Sequence, residues 1–453
     1  MKVILISMPD IAPIVIHEAA IHMPNLGIAS VGGNIDEHHD VYIIDLIRKR
    51  NQVRKYLTRT LKKIRPELVG LSAMTWQYDT CIKIMRLIKE LLPDVKIAIG
   101  GYHATVMYEV SYKRGGRFIH NPKRDLLDLS RLKLPIRDKR RLTWGYHVMN
   151  NKFEVMETSR GCTRSCNFCS IRNMYGRSFR TFPIEHVLAN LDDIYYKRKT
   201  RWVLIADDNL VLAPDRVIIL CDAIIQKNYK NLNFVIQADC VSMARNEEMV
   251  RKLSLAGVKS VFLGIENASP KNLRTAQKGD ITKASVKAVA NCHKHRIMVI
   301  AGLILGFPDD DEASIIQNYE FLNALKIDAS WCQILTPYPK TGIRQKLVDE
   351  GLVTNLYDYK RYNGLWANVK TKWLEAEQLQ YLFWYHKQTV LGWWDPSDLA
   401  RRDGKLWISI WRFIFKPILH YFTNRTLRKY GWDGRYQREI KRLSNLNTFD
   451  DLK

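Results

Sequence analysis

Three cysteines follow one another closely in the stretch SRGCTRSCNFCS, which runs from Ser159 to Ser170. Cys162, Cys166 and Cys169 are spaced C-x3-C-x2-C, and the run FEVMET before them reads as a β-strand. A structural zinc site takes four protein ligands, and no fourth Cys or His lies nearby. Three thiolates on one tight loop fit three corners of a [4Fe–4S] cube and leave the fourth iron open to a non-protein ligand. The spacing therefore predicts an iron–sulfur cluster.

The other five cysteines are scattered singly along the chain, at Cys81, Cys221, Cys240, Cys292 and Cys332. Most of them lie in apolar runs, which predicts small buried side chains. The opening MKVILISMPD lacks the pattern of a signal peptide. With one cysteine cluster and no array of paired cysteines, these features lead us to expect the reducing cytoplasm.

Six strand-like runs alternate with helix-like segments from the cysteine loop onward. They are FEVMETS, WVLIADDN, NFVIQAD, SVFLGIE, IMVIAGLILGF and ASWCQILTP. Six βα repeats predict a partial (β/α)6 barrel of TIM type over residues 153–345, with its chemistry at the carboxyl ends of the strands. The cysteine loop follows the first strand and therefore falls at that end.

The regions on either side of this barrel have a different character. Residues 1–110 alternate the strand-like runs KVILISM, DVYIIDL, ELVGLSA and VKIAIGG with helix-like segments, which predicts a Rossmann-like α/β domain. Residues 111–152 are basic and irregular, as in a linker. Residues 346–453 hold eight of the twelve tryptophans among basic residues, and we expect this region to be mainly helical.

The cysteine spacing, with Phe168 just before the last cysteine and a βα barrel around it, resembles the radical S-adenosylmethionine (SAM) superfamily. The resemblance implies that the open iron binds the amino and carboxylate groups of SAM. One electron from the cluster then cleaves the sulfonium to give a 5′-deoxyadenosyl radical. It also implies a separate electron donor of the flavodoxin or ferredoxin type.

Later stretches resemble further signatures of the superfamily, and the resemblance covers roughly residues 154–345. IADDN implies that Asp207 and Asp208 contact the SAM amino group, and FLGIENAS implies that Glu266 contacts the ribose hydroxyls. AGLILGFPDDDE implies that the backbone approaches the adenine at Gly302, Ile304 and Gly306, and Gln237 is expected in the same barrel mouth.

Ordinary structural roles compete with each of these assignments. The glycines fit tight turns, and the paired aspartates fit a helix cap. Arg177 and Arg180 either pair with an acid near SAM or lie on a solvated face.

The amino-terminal domain resembles the cobalamin (B12)-binding domain of a large radical SAM subfamily, related to anaerobic magnesium-protoporphyrin ester cyclases and hopanoid-modifying enzymes. The matching runs are KVILISM, MPNLGIASVGG, LSAMTWQYDT and IGGYHAT. The resemblance implies that Ser72, Ala73 and Met74 lie beside the dimethylbenzimidazole tail, and that Gly100 and Gly101 allow its close passage.

Two departures leave cobalamin binding open. No D-x-H-x-x-G motif supplies a histidine below cobalt, and the segment after HATVMYEV looks shortened. A scaffold without cobalamin therefore stays an alternative. His17 and His22 in the first loop either approach cobalt or are solvated.

The segment GKLWISIWRFIFKPILHYFTNRTLRKY mixes bulky apolar residues with bases, and Pro417 is expected to interrupt any helix there. It fits either a helix lying in a membrane interface, which implies peripheral membrane association, or a helix packed on the barrel. NGLWANVKTKWLEAEQL resembles a segment that closes the substrate cavity in cyclase-like relatives. A large hydrophobic substrate with an anionic head would suit such a cavity.

Three functions compete. The first is a radical SAM enzyme that functionalises an unactivated carbon, by cobalamin-dependent C-methylation or by cobalamin-independent cyclisation or C–C bond formation on a lipid or tetrapyrrole-like substrate. The second, RNA modification, fits the net charge of +25, but residues 1–150 hold only Cys81 where methylthiotransferases carry three further cysteines, which disfavours nucleic acid. The third, a non-enzymatic iron–sulfur protein, leaves the SAM signatures unexplained.

Overall fold

A computed structural model of the protein describes residues 1–11, 21–107, 121, 124–148, 151–390 and 416–452. The amino-terminal part holds five strands, of which all but β2 form one parallel sheet in the order β3-β1-β4-β5. They are β1 (Lys2–Ser7), β2 (Ile21–His22), β3 (Asp40–Asp45), β4 (Leu68–Ser72) and β5 (Lys96–Gly100).

Helices Leu26–Ile35, Val53–Ile64, Tyr78–Leu91 and Tyr102–Val106 accompany this sheet. β1 is almost entirely buried, as expected where helices cover both faces of a parallel sheet, whereas on β4 the buried Val69 and Leu71 alternate with part-exposed residues. Ser7 and Ser72 are paired in register, so the carboxyl ends of β1 and β4 share one edge. The Rossmann-like prediction is confirmed.

The second part of the chain is built on six parallel strands in the order β7-β10-β11-β12-β13-β14. The strands from here on are β6 (His147–Val148), β7 (Asn151–Met156), β8 (Ser159–Arg160), β9 (Arg180–Thr181), β10 (Trp202–Ile205), β11 (Asn233–Asp239), β12 (Val258–Glu266), β13 (Met298–Leu305) and β14 (Ala329–Ile334). The longer helices of this part are Ile184–Asp192, Pro214–Gln226, Glu247–Leu255, Thr282–Lys294 and Glu312–Ala324. All six predicted strands are present, and the partial (β/α)6 barrel is confirmed.

Side-chain burial alternates along the barrel strands, which identifies their two faces. On β12, Val261, Leu263 and Ile265 are completely buried under the helices, whereas Phe262 and Glu266 are partly exposed. Gly302 on β13 lies in register with Trp331 on β14, and the Phe262 and Trp331 rings are 5.1 Å apart. These part-exposed side chains line the inner, concave face of the barrel.

Two short antiparallel strands extend this sheet beyond β7, which the sequence reading did not predict. β6 pairs with β7, and β2, from the amino-terminal part, pairs with β6. His22 lies on β2, with its Nδ1 2.9 Å from Arg48 Nη1 and its ring 5.2 Å from that of His147. His17 lies outside the described residues.

The carboxyl-terminal region is mainly helical where it is described, as predicted, with helices Gly342–Asp349, Ala376–Thr389 and Lys416–Asn445. Pro417 is the second described residue of the last of these, and because residues 404–415 lie outside the described residues, the interruption expected at Pro417 stays a prediction. Within the described helix the break comes at Gly431, where φ is 65°. Within the described parts of the chain, no helix combines the length and apolar character needed to cross a membrane.

The end of the chain returns to the Rossmann-like sheet. Phe449 and Leu452 are buried in the same core as β1. The Asn447 amide exchanges two hydrogen bonds with the backbone of Ile11, at 2.9 and 3.1 Å. The predicted boundaries at 110, 152 and 345 remain predictions, and these contacts tie the first and last regions together.

Candidate functional site

The three clustered cysteines lie in the loop after β8, next to the carboxyl end of β7. Cys162, Cys166 and Cys169 are free and part-exposed, whereas the five single cysteines are free and fully buried, as expected of apolar packing. Burial raises the pKa of Cys169 to about 12 and also raises that of Cys166. Because metals bind the thiolate, loading a cluster must displace these protons.

The three thiols suit a cluster better than a single ion. Among residues with described positions, no group of three or more His, Cys, Asp or Glu side chains is arranged to hold one metal ion. In a [4Fe–4S] cluster each thiolate binds a different iron, so the sulfurs need not converge on one point. Part-exposed thiols on one loop that form no disulfide fit that donor set.

The loop is anchored at its start by the pair of aspartates that follows β10. Asp207 is fully buried and accepts hydrogen bonds from the Thr158 amide, the Thr158 hydroxyl and the Ser159 hydroxyl, each at 2.6 Å. Asp208 accepts from the Gly161 amide at 2.7 Å. Burial raises the pKa of both carboxyls, and these hydrogen bonds oppose the rise. The contacts of both residues with SAM stay predictions, but Asp207 has its oxygens engaged by the loop itself.

A third carboxylate, which the sequence reading missed, holds the middle of the loop. Asp239 ends β11 and accepts from Arg164 Nη2 at 2.9 Å and from the Asn209 amide at 3.0 Å. Burial alone would raise the pKa of Asp239, yet its hydrogen bonds and the charge of Arg164 hold it below the ordinary value. The sequence pattern does indicate Asp239, because NFVIQAD ends in an aspartate as WVLIAD does.

The back of the loop rests on two other segments. The Asn167 amide N–H donates to the Ala276 carbonyl at 3.0 Å, and its side chain donates to the Thr275 carbonyl at 2.8 Å. The Ile343 N–H donates in turn to the Asn167 carbonyl at 3.1 Å. The cysteine loop is therefore fixed from several sides before any cofactor binds.

Glu266, the predicted ribose contact, ends β12 in a left-handed backbone conformation, with φ of 65°. Such a conformation is uncommon for residues other than glycine and is often found at functional positions. Its carboxylate accepts from Lys278 Nζ at 2.6 Å. Burial lowers the pKa of Lys278, but the neighbouring charge of Glu266 raises it above its ordinary value. Lys278 was not predicted, since no motif links it to Glu266.

The remaining predicted SAM contacts lie along the concave face, where the glycines already serve packing. A Cβ on Gly302 would lie 2.7 Å from the Phe262 ring, and Gly306, with φ of 89°, faces Leu379 in the same way at 2.8 Å. Gln237 is part-exposed beside Phe262 on the neighbouring strand. Ile304 is nearly buried and Phe168 packs on the barrel core. The structure brings these residues to one barrel, and their contacts with SAM stay predictions.

The two arginines after the loop differ from each other. Arg180 Nη1 donates to the Leu127 carbonyl at 2.7 Å, and its guanidinium lies 5.4 Å from the Tyr175 ring centre. Arg177 is exposed. Neither arrangement supports pairing with an acid near the cysteines.

The predicted cobalamin residues lie together at the carboxyl edge of the Rossmann-like sheet. Ser72 ends β4 and Gly100 ends β5, and the Ala73 amide donates to the Gly100 carbonyl at 3.1 Å. Met74 is 48% exposed. At Gly101, φ is 92° and a Cβ would lie 2.5 Å from the Ala73 carbonyl oxygen. The edge thus presents backbone and one exposed apolar side chain, which suits a large, flat ligand.

Two buried polar atoms near this edge have no hydrogen-bond partner. They are Oδ2 of Asp10, three residues beyond β1, and Oγ1 of Thr75. Asp10 Oδ1 accepts from the Thr80 hydroxyl at 2.8 Å, and burial raises the pKa of Asp10 to about 7. Unpaired buried polar atoms are costly, and a bound ligand with amide side chains, such as cobalamin, is able to satisfy them.

The two candidate sites meet at Tyr102, which directly follows Gly101. Its hydroxyl is 3.3 Å from the Pro339 carbonyl, beyond β14. Burial raises the pKa of Tyr102, while hydrogen bonds with Asn173 and Ser170 oppose this rise. The helix Tyr102–Val106 packs against Ile171–Tyr175, the helix that follows the cysteine loop. The predicted cobalamin edge therefore borders the predicted cluster loop.

Comparison with protein families yields two matches that together cover both parts of the chain. The B12 binding domain matches residues 12–119, and the Radical SAM superfamily matches residues 156–322. An uncharacterized methyltransferase from Pyrococcus horikoshii is 25% identical over 414 residues, which is 81% of this chain and 89% of the relative.

Two further relatives carry named activities. Bacteriochlorophyllide d C-12(1)-methyltransferase from Chlorobaculum tepidum is 25% identical over 60% of this chain, and the match spans only 57% of that enzyme. Anaerobic magnesium-protoporphyrin IX monomethyl ester cyclase from Rubrivivax gelatinosus is 23% identical, with 80% of this chain and 72% of that enzyme covered.

Among solved structures, the radical SAM methyltransferase TsrM from Kitasatospora setae, with cobalamin and a [4Fe-4S] cluster bound, gives a TM-score of 0.60. Its sequence identity is 14%, and 77% of this chain and 75% of that chain are covered. At this identity the likeness establishes the shared fold.

Proposed function

We propose, from the premise that this chain belongs to the radical SAM superfamily and also carries a B12 binding domain, that it is a cobalamin-dependent C-methyltransferase. The [4Fe–4S] cluster, SAM and cobalamin are its cofactors, and it needs an electron donor. The finer assignments are proposals: methylation as the reaction, an extended apolar substrate with an anionic group, and the individual contact residues.

One observation carries the proposal. Three free, part-exposed thiols lie on a loop held by Asp207, Asp208 and Asp239, and the helix after that loop packs on the helix Tyr102–Val106 that follows β5. A methyltransferase of this kind must hold the cluster with SAM, cobalamin and a substrate close together. Residues expected to bind each cofactor lie on adjoining segments.

Bound here, the cluster and SAM would supply a carbon radical able to remove hydrogen from an unactivated carbon, and cobalamin would supply the methyl group. The residues of the chain would then bind and orient the cofactors and the substrate, and they would exclude water from the site. Cys162, Cys166 and Cys169 would hold the cluster, and the paired Glu266 and Lys278 offer an acceptor and a cation to SAM. No side chain needs to act as an acid or base in hydrogen abstraction.

The concave face supports an apolar substrate. Phe262 and Trp331 expose aromatic surface there, and the segment after β14 adds to its rim. Within that segment, the Gly364 carbonyl accepts from the Ile334 amide at 2.7 Å, and Leu365 and Ala367 pack on the barrel core. The relatives named for bacteriochlorophyllide and protoporphyrin esters favour a tetrapyrrole-like substrate. The cyclase relative keeps cobalamin-independent ring closure as the second candidate.

Peripheral membrane association is the remaining part of the proposal, since such substrates partition into lipid. Residues 404–415 of the aromatic, basic segment lie outside the described residues, so this part rests on sequence alone.

Anaerobic reconstitution tests the proposal. Purified protein loaded with iron, sulfide and methylcobalamin should convert SAM to 5′-deoxyadenosine when dithionite is added. Cys166→Ala should abolish both the cluster absorbance and 5′-deoxyadenosine, because a ligand is lost. Cys292→Ala, which changes a fully buried single cysteine, should retain both.

SAM carrying a CD3 methyl group separates the two candidates. Appearance of CD3 on cobalamin and on material extracted from the protein supports methylation, whereas 5′-deoxyadenosine formed without cobalamin supports ring closure. An intact cluster that cleaves no SAM contradicts both, and loss of the cluster in Cys292→Ala contradicts the ligand assignment.

A further inference from the structure

Residues 133–141, which we call the connector, are bonded to the Rossmann-like domain along their length. The Ile43 amide on β3 donates to the Lys139 carbonyl at 3.1 Å, and the Arg141 amide donates to the Ile43 carbonyl at 2.9 Å. Ile136 packs on the core that β1 and β3 share, and its amide donates to a carbonyl of the helix after β2 at 3.0 Å. The connector is therefore an added edge of the first domain.

Two side chains of the connector reach the barrel. Arg137 and Arg140 share the carboxylate of Glu154 on β7: Arg137 Nε is 3.3 Å from Oε2, and Arg140 Nη1 is 2.6 Å from Oε1. Arg137 Nη1 also donates to Asn190 at 2.8 Å and to Asp193 at 3.3 Å, both in the helical segment that follows β9. The connector thus joins the Rossmann-like sheet to the first strand of the barrel.

Arg137, Arg140 and Glu154, which we call the buried triad, have side chains that are 0%, 5% and 6% exposed. Removing these charges from water costs free energy that their attraction barely offsets, so a buried triad adds little stability compared with apolar side chains of similar size. It does add direction, because a guanidinium and a carboxylate bond in few relative orientations. A buried triad between two domains is suited to fixing how the domains are oriented.

The Rossmann-like sheet is attached to the barrel on both of its sides. In the order β3-β1-β4-β5, the connector holds one outer strand. After the other outer strand, the Tyr102 hydroxyl lies 3.3 Å from the Pro339 carbonyl. The predicted cobalamin residues lie at the ends of β4 and β5, and Cys162 follows Glu154 by eight residues. The two attachments therefore determine how far the cobalamin edge lies from the cysteine loop.

We propose that Arg137, Arg140 and Glu154 are positioning residues that set the spacing between the cobalamin edge and the cysteine loop. This inference rests on the proposed function, because only an enzyme that passes a methyl group between the two sites needs that spacing fixed. Methyl transfer requires the reacting atoms in contact, and a misplacement of about 1 Å costs about 100-fold. SAM cleavage at the cluster uses the barrel alone. Loss of the buried triad should therefore separate the two reactions.

The main variant removes one cation and one anion together. Arg140→Met/Glu154→Leu leaves Arg137 bonded to Asn190 and Asp193. Replacing a buried ion pair by apolar side chains is often neutral for stability, so the melting temperature of the apoprotein should stay near the wild-type value. A purely stabilising role of the triad would then leave every other property unchanged.

The first readout needs no cofactor. Nitroxide labels on p-acetylphenylalanine, introduced at the exposed positions of Arg59 on the Rossmann-like domain and Val286 on the barrel, report the distance between the domains by double electron–electron resonance. The wild-type distribution should be narrow. In the double variant it should be about twofold broader, because domains without a fixing interface move relative to each other. A wild-type distribution as broad as that of the variant would overturn the proposal.

The second readout compares two products of the reconstituted protein. Titanium(III) citrate reduces the cluster and converts added cobalamin to cob(I)alamin, whose electron pair takes CD3 from labelled SAM and releases S-adenosylhomocysteine. Cleavage of SAM at the cluster gives 5′-deoxyadenosine. The ratio of CD3-cobalamin to 5′-deoxyadenosine should fall about tenfold in the double variant, with 5′-deoxyadenosine unchanged. A wild type that forms neither product would refute the proposed function, whereas the distance distributions would still test the triad.

Lys252→Met/Asp222→Leu is the matched control. It removes one cation and one anion, 2.5 Å apart, that join the helices Pro214–Gln226 and Glu247–Leu255 within the barrel. The product ratio and the distance distribution should keep their wild-type values. Equal changes in the two double variants would mean that the loss of any ion pair has this effect, which would overturn the proposal.

Arg137→Lys tests the triad without removing a charge, and it decides the matter if the double variant unfolds. One ammonium cannot replace the five donors of the guanidinium, which bond to β7 and to the helical segment after β9 together. The product ratio should fall about threefold. Wild-type ratio and distribution in either folded variant would overturn the proposal, as would a parallel loss of both products, which would mean that the triad only supports the barrel.

Discussion

The predicted cluster site at the barrel mouth and the predicted cobalamin site at the carboxyl edge of the Rossmann-like sheet are built in different ways. At the barrel mouth, side chains define the site: three thiols, and three strand-end aspartates that hold their loop. At the Rossmann-like edge, backbone shape defines it, through Gly101 and its close approach to Ala73. The first kind of site can be predicted from residue types and their spacing in the sequence. The second kind is recognised mainly from the backbone conformation.

Breaking the side-chain site should have the largest effect. Asp207→Ala removes the acceptor of three hydrogen bonds and leaves buried donors on Thr158 and Ser159 unpaired, which costs about 4 kcal/mol or more. The cysteine loop should then lose its fixed start. We expect a lower melting temperature and less iron bound per chain after reconstitution, measured by calorimetry and iron analysis.

Asp208→Asn is the variant to compare with Asp207→Ala. The amide oxygen can still accept from Gly161, so iron content should stay near the wild-type level. Weaker SAM binding in this variant would support the predicted contact with the amino group. Full iron loading in Asp207→Ala would show that the loop does not depend on this anchor.

The difference between the two regions also explains what the sequence could predict. Alternating strand-like and helix-like runs were enough to predict both sheets, and C-x3-C-x2-C singled out the loop that carries the three part-exposed thiols. Lys278 was missed because its ion pair with Glu266 joins residues 12 apart on either side of the helix Pro270–Thr275. The sheet extension through β2 was missed since two-residue strands have no periodicity to read. The return of Phe449 to the first domain's core joins parts of the chain that no local pattern connects.

A single added methyl group should disrupt the carboxyl edge of the Rossmann-like sheet. Gly101→Ala forces a left-handed backbone on alanine and places its Cβ about 2.5 Å from the Ala73 carbonyl, for a combined cost of about 3 kcal/mol. Gly279→Ala shares the positive φ, at 76°, but meets no atom within 4 Å, so only about 1 kcal/mol is expected. Thermal unfolding without cofactors measures both, and equal losses would mean that close approach at Ala73 is unimportant.

The smallest expected effect concerns Asp10, a side chain buried near the backbone site. Its folded pKa of about 7 lies above the ordinary 3.8, so the folded state holds an extra proton between about pH 4 and pH 7. Stability therefore falls as pH rises through this window and stays lower above it. Asp10→Asn removes the buried charge but buries an unpaired amide N–H, for a net gain of about 1–2 kcal/mol at pH 8.5.

The gain in melting temperature of Asp10→Asn over the wild type should thus be larger at pH 8.5 than at pH 5, where the wild-type carboxyl is mostly protonated. Asp94→Asn, at an exposed position after the helix Tyr78–Leu91, should show no such trend. Added cobalamin tests whether the cofactor contacts Asp10. If its amides satisfy the free Asp10 oxygen, it should stabilise the wild type more than it stabilises Asp10→Asn at pH 8.5, where the carboxylate is the stronger acceptor. Equal stabilisation of both proteins would place Asp10 outside the cofactor's reach and leave the Rossmann-like edge defined by backbone alone.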